Sequence, residues 1–246
     1  MAKKYTKEHE VTFYECDVNQ QMTFPSLLSV AVKVSEDQSA LFNRGNEYIH
    51  QLGLGWVITN YQIAITRMPT VGEVCQVTTE AKEYNKFFCY RSFWFHDAAG
   101  NELVAIESVF VLMDMTARKV TSVPDDVIAP YESTKVKSIR RFPAIEKVEA
   151  GKTLPFRVRF YDIDSNHHVN NSIYFNWMIN ALDYQFLVEH RSLSVNIRFD
   201  KEVEYGATVD SLVEVVEKDK QVVTRHEIRL GEELCCEANF VWEKAE

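Results

Sequence analysis

The spacing of apolar residues divides the chain into two runs with the same order of elements. From Phe24 onward, Leu27, Val30, Ala31 and Val34 fall at i, i+3, i+4 and i+7, the spacing of one helix face. Pro25 suits the first turn of that helix and Gly45 a C-terminal cap. A short strand through Val11 to Tyr14 is expected before it, and four β-rich stretches after it, near 56–66, 73–84, 87–96 and 102–114. The plan then returns. A second helix from about Ser172 carries Phe175, Met178, Ile179, Leu182 and Phe186, followed by strands near 193–200, 207–218, 221–230 and 234–242. One helix with a run of antiparallel strands predicts an α+β unit, a sheet wrapped around a buried helix. A lone unit would expose a sheet edge and an apolar flank, so the two are expected to pair.

Laying the chain over itself supports a duplication. Val11-Thr-Phe-Tyr-Glu-Cys-Asp-Val-Asn-Gln-Gln-Met22 falls on Val158-Arg-Phe-Tyr-Asp-Ile-Asp-Ser-Asn-His-His-Val169 at an offset of 147 (Tyr14 to Tyr161). Farther on, Gly72 meets Gly206 at 134, and Glu102-Leu103 meets Glu233-Leu234 at 131. The residues lost from the second copy fall after its helix, where the first carries Phe42 to Gly55. Modules are expected over 1–131 and 153–246, with the charged segment 132–152 as a linker.

Composition excludes several function classes. A net charge of −9 argues against a nucleic-acid binder, which needs a basic face. No apolar run reaches the length of a membrane span, the N-terminus lacks the apolar core of a secretory signal, and a cytoplasmic location is expected. There is no GxGxxG or P-loop motif for a nucleotide cofactor. Cys16, Cys75, Cys89, Cys235 and Cys236 are scattered, none in CxxC spacing, which suits reduced core thiols and neither disulfides nor a metal. No cofactor is expected.

The chemistry concentrates in Tyr161-Asp-Ile-Asp-Ser-Asn-His-His-Val-Asn-Asn-Ser-Ile-Tyr174. If the segment is extended, Asp164, Asn166 and His168 point to one side and Ser165 and His167 to the other. The following helix, capped by Asn170, Asn171 or Ser172, would bring N–H groups to a developing oxyanion. The first copy keeps Asp17 and Asn19 but has Gln21 where the second has His168, and Met68 where the second has Glu202. An Asp and an Asn can hold a turn by bonding to backbone, so their retention fits a structural role. The titratable His and Glu are present in the second copy only.

Asp164-Ser-Asn-His-His-Val-Asn-Asn171 resembles the catalytic-loop signature of the acyl-acyl-carrier-protein (acyl-ACP) thioesterases, and size, duplication and linker fit that family. The resemblance implies a double hotdog fold, two antiparallel sheets each wrapped around a long helix. It implies hydrolysis of fatty acyl-ACP with Asp164, Asn166, His168 and Glu202 as catalytic residues, and acyl carrier protein with its acyl-phosphopantetheine arm as partner. Plant members place a cysteine directly after the Glu, where this chain has Val203, so a water mechanism is expected. Either Glu202 or Asp164 could take the proton, and a covalent carboxylate intermediate stays open. Leu27, Leu28, Ala31, Val34 and Trp56 are candidates for the acyl tunnel, and Lys135, Lys137, Arg140 and Arg141 for a carrier-protein patch. A hotdog acyl-CoA thioesterase and a non-catalytic acyl-binding module are the alternatives. Whether the chain also forms a homodimer stays open.

Overall fold

The computed structural model describes residues 2–164 and 167–245. Its elements are β1 (Lys4–Glu10), α1 (Phe24–Leu41), α2 (Asn46–Gln51), β2 (Leu54–Ile65), β3 (Val74–Tyr84), β4 (Phe88–His96), β5 (Glu102–Asp114), β6 (Lys119–Thr121), α3 (Asp125–Ile128) and β7 (Thr134–Lys135) in the first part. The second holds β8 (Lys152–Arg157), α4 (Asn171–Asn180), α5 (Tyr184–Glu189), β9 (His190–Phe199), β10 (Thr208–Lys218), β11 (Gln221–Leu230) and β12 (Glu233–Lys244). The eight strands expected after the two helices are present.

The sheet runs β1-β3-β4-β5-β2-β9-β12-β11-β10-β8. Each half of that order mirrors the other about the antiparallel β2–β9 pair, which runs from Asn60↔Arg198 to Ala64↔Ser194. Two sheets were expected; the central pairing joins them into one, because β2 and β9 would otherwise each leave a row of unpaired backbone groups. The apolar flanks are buried together, with the Phe24 and Phe175 rings stacked 5.4 Å apart and a single core cluster drawing on both helices. Backbone geometry repeats at all three offsets: Gln20 and His167 have φ of 60° and 66°, Gly72 and Gly206 79° and 81°, and Gly100 and Gly231 86° and 59°.

Three local expectations are corrected. Val11 to Tyr14 is not a strand. Glu15 accepts bonds from the Thr12 N–H and hydroxyl, both at 2.8 Å, and this box turns the chain into a 3-10 turn at Phe13–Glu15 after β1. Arg159 and Asp162 do the same before Phe160–Asp162 in the second half. Gly45 does not close α1: that helix stops at Leu41, Asn43 takes the left-handed conformation at φ 54°, and Gly45 caps the start of α2. The second helix is two helices, interrupted at 181–183. Thr23 caps α1 by accepting from the Ser26 N–H at 3.3 Å, and Asn170 caps α4 by accepting from that of Ser172 at 2.9 Å. The six-residue α2 lies in the segment missing from the second half.

The charged connector is strapped across the sheet. Pro143 O accepts from Asn196, the Glu146 N–H donates to Asn239, and the Val148 and Glu149 N–H groups donate to Glu227 and Glu214. Asn196, Asn239, Arg225 and Glu214 are successive register partners on β9, β12, β11 and β10, so the connector crosses the strands in a straight row.

Candidate active site

Asp164, His167 and His168 do not follow the extended course expected of them. Ile163 and Val169 bridge antiparallel, the Asp164 N–H donates to His168 O at 2.9 Å, and the His167 N–H donates to Asp164 O at 3.0 Å. His167, in the left-handed region, points its ring to solvent, while His168 is turned inward with a side chain 17% exposed. Asn166 lies outside the described residues.

Glu202 sits just beyond the end of β9. The Asp200 and Lys201 N–H groups both donate to Cys235 O, and the Val169 N–H donates to Val203 O at 3.0 Å. Those bonds bring the loop after β9 against the turn before α4. His168 Nε2 and Glu202 Oε2 are 3.3 Å apart. Asp164 lines the same cavity.

Sequence reasoning missed Arg118. It lies in the turn between β5 and β6, with φ 53° and its N–H donating to Asp114 O, while the Asp114 carboxylate caps the Thr116 and Ala117 N–H groups. Its guanidinium forms an ion pair with Glu202 and approaches His168 Nε2 at 3.1 Å. A guanidinium only donates, so this contact makes Nε2 the acceptor and puts the imidazole proton on Nδ1. Nε2 and Oε2 are then neighbouring acceptors bridged by one cation. No signal along the sequence links this turn, after the last expected strand of the first copy, to the loop after β9.

These groups stand at a cavity of about 800 Å³. His168, Glu202 and the α4 start at Asn170, Asn171 and Ser172 come from the second half, and Arg118 and most of the wall from the first. Asn171 Nδ2 donates to Ile58 O at 3.1 Å and ties α4 to β2 across the two. Of the tunnel candidates, Leu28 and Trp56 line the cavity, joined by Ile58 and Phe110. Leu27, Ala31 and Val34 lie in the buried core instead.

The basic residues of the connector divide. All four are exposed; Lys135 pairs with Asp125 at 2.9 Å and Arg140 with Glu107 at 2.8 Å, while Lys137 and Arg141 form no ion pair among the described residues. Among the described residues no group of three or more His, Cys, Asp or Glu side chains could hold a metal. All five cysteines are free. Cys89 reaches the cavity wall, and burial pushes its thiol up to about 12, which leaves no thiolate at neutral pH. No helix among the described residues is long and apolar enough to cross a membrane.

The family model for the acyl-ACP thioesterase N-terminal domain matches residues 2–131, and that for the C-terminal domain matches residues 145–244. A Lactobacillus plantarum protein assigned as an oleoyl thioesterase is 39% identical and superposes with a TM-score of 0.97, covering 100% of this chain and 98% of that one. The 12:0-ACP thioesterase of Umbellularia californica shares the fold, with a TM-score of 0.86, 19% identity and coverage of 98% and 94%. The chloroplastic oleoyl-acyl carrier protein thioesterase of Coriandrum sativum is 23% identical over 240 residues. That match takes in 90% of this chain but 65% of the relative, so the chain spans just under two thirds of its length.

Proposed function

The chain belongs to the acyl-ACP thioesterase family, and from that premise we propose that it hydrolyses fatty acyl-ACP to free fatty acid and holo-ACP. The observation that carries the reading is a His–Glu–Arg cluster at a cavity whose wall is supplied by the half that lacks the His and Glu. A binding module that only sequestered acyl chains would need the cavity and not the cluster.

The chemistry follows from two acceptors 3.3 Å apart. A water held between His168 Nε2 and Glu202 Oε2 gives up a proton as its oxygen bonds to the thioester carbonyl carbon. The N-terminus of α4 faces the negative charge that develops on the carbonyl oxygen. The tetrahedral intermediate then collapses, the C–S bond breaks, and the departing thiolate of the phosphopantetheine arm takes back a proton. Arg118 acts as a positioning residue that holds the Glu202 carboxylate in place and fixes the His168 tautomer. Asp164 orients the turn.

We further infer that each half is a hotdog module and the whole a tandem pair, with 1–131 and 153–246 as the modules and 132–152 as the linker between them. The acyl chain lies in the first module, past Leu28 and Trp56. Lys137 and Arg141, exposed on the linker, are offered to the acidic carrier protein. The deciding experiment is release of free acid from a panel of acyl-ACPs and the matching acyl-CoAs, with Glu202→Gln as the control. Turnover of acyl-ACP by the wild type alone supports the reading, and full turnover by Glu202→Gln overturns it.

A further inference from the structure

The sheet-facing wall of the cavity is not purely apolar. Arg91, on β4, lines it and is 9% exposed. Its Nη1 donates to Gln38 Oε1 at 2.7 Å and to Thr79 Oγ1 at 3.0 Å, and its guanidinium carbon lies 5.3 Å from the Tyr131 ring centre. Those partners are all neutral, and among the described residues no carboxylate lies within ion-pair distance of it. Nε and Nη2 have no hydrogen-bond partner among the described residues. Tyr61, on β2, also lines the cavity, is 2% exposed, and its hydroxyl has no hydrogen-bond partner among the described residues either.

The two belong to one band. Arg91 pairs in register with Ser108 on β5, and Ser108 with Tyr61, so the three residues cross the inner sheet face at one level. With Ile63 laid on Ile197, the same register in the second half runs Thr224, Phe240, Val195. There the place is filled: Phe240 packs against Phe24, Phe175, His226 and Trp242, and the Thr224 hydroxyl is bonded by Trp242 and His226. One half has thus closed this level with aromatic rings, and the other has left it open with a buried cation and a phenol. A buried charge is ordinarily met by a counter-charge or a full set of acceptors, because its desolvation is otherwise uncompensated. An alkyl chain lying against Arg91 would offer nothing to its free donors.

We propose that this inner band is a binding site for an oxygen function on the acyl chain remote from the thioester, with a terminal carboxylate preferred over a terminal hydroxyl, and either over a plain methyl end. Arg91 supplies charge-assisted donors and Tyr61 a hydroxyl that donates or accepts. The proposal rests on the acyl-thioesterase reading for the orientation of the chain, with the thioester at His168 and Glu202 and the far end at the band. The carrier-linked end stays the same, so selection falls on the distal group.

The test is equilibrium binding of free acids to the full chain by calorimetry, comparing dodecanoic, 12-hydroxydodecanoic and dodecanedioic acids. Binding of these product-like ligands needs no turnover, so loss of hydrolysis would sink the function reading and leave this measurement standing. The hydroxy acid is expected to bind about tenfold tighter than dodecanoic acid and the diacid tighter still. Tyr61→Phe should shrink the hydroxy-acid advantage, and Arg91→Met should remove the order altogether. Equal affinities, or tighter binding of dodecanoic acid, in the wild type overturn the proposal, as does an order that survives both substitutions. If Arg91→Met does not fold, the wild-type order together with Tyr61→Phe decides.

Discussion

Asp17, Gln20 and Gln21 in the first half and Asp164, His167 and His168 in the second share the same backbone bonds. In each the Asp N–H donates to the carbonyl four residues on, at 2.8 and 2.9 Å, with a left-handed residue at Gln20 or His167. In the first, the Asp17 carboxylate accepts from the Asn19 and Gln21 N–H groups, which is turn-holding and nothing more. The difference in chemistry therefore lies not in the backbone but in what fills three positions around it. The second turn presents His168, faces Glu202 across the loop after β9, and receives Arg118 from the opposite half. Of the two halves, one carries the His and Glu and the other most of the cavity wall and the Arg118 cation.

The largest expected effect tests that division directly. Glu202→Gln or His168→Ala should lower kcat on acyl-ACP by about 10²- to 10⁴-fold with the fold intact by circular dichroism. The reverse construction, Gln21→His with Met68→Glu in the Glu202→Gln background, should recover no hydrolysis, because among the described residues no arginine pairs with Gln21 as Arg118 does with His168. Measurable recovery would mean that the turn and two side chains suffice. Next in size is Arg118→Met, expected to cost about a hundredfold in kcat. Arg118→Lys should regain only part: Nη2 alone makes both contacts and an ammonium can donate to both, but it stands on a shorter stem. A positioning role also predicts a changed pH profile in Arg118→Met, which simple loss of packing would not produce.

The periodicity of apolar residues located the strands and α1 within a few residues, and the duplication predicted the paired halves. Side-chain bonds that compete with periodicity escaped it. Val11 to Tyr14 has a strand's composition, yet the Thr12–Glu15 box bends it into a turn and leaves Phe13 and Tyr14 exposed. The second helix looked continuous because Leu182 and Phe186 continue the spacing, although Phe186 is turned onto His190 and Trp242 after the break. His168 and Glu202 were legible because the first half served as a control on the second. Arg118 was not, since nothing along the chain connects a turn after β5 to a loop after β9. The tunnel candidates failed in part for the same reason: helix spacing marks a buried face but does not say which side of it borders empty space.

A smaller contrast concerns stability. His226 on β11 is fully buried, with Nε2 2.8 Å from Thr224 Oγ1 and Nδ1 without a partner, and burial lowers its pKa from 6.5 to about 3. The register sets Phe93 at the corresponding place in the first half. Below pH 6.5 the unfolded chain takes up a proton there that the folded chain refuses. Stability is therefore fully present above 6.5 and falls by about 1.4 kcal/mol per pH unit as pH drops toward 3. His226→Phe should remove that contribution between pH 6.5 and 4.5, an interval above the lowered carboxyl of Glu73, where the Glu237 carboxyl, raised by burial, acts with the opposite sign. Denaturant midpoints across that interval are the measurement, and an unchanged slope would place the acid lability elsewhere.

The smallest effect separates stability from activity at the two helix starts. Thr23→Ala and Asn170→Ala each remove a side-chain acceptor from a helix N-terminus and should each cost about 1 kcal/mol in chemical denaturation. Their consequences for turnover should differ. Asn170 lines the cavity beside His168, and the helix it starts is tied to β2 through Asn171 and Ile58 O. Loosening that turn shifts the N–H groups that face the carbonyl oxygen, so a several-fold loss of kcat with little change in KM is expected. Thr23 holds the same place in the half without the His and Glu, and its loss should leave kcat untouched at temperatures where both variants are folded. If the two caps lower kcat alike, the site depends on the rigidity of the whole paired sheet and not on the local placement of α4.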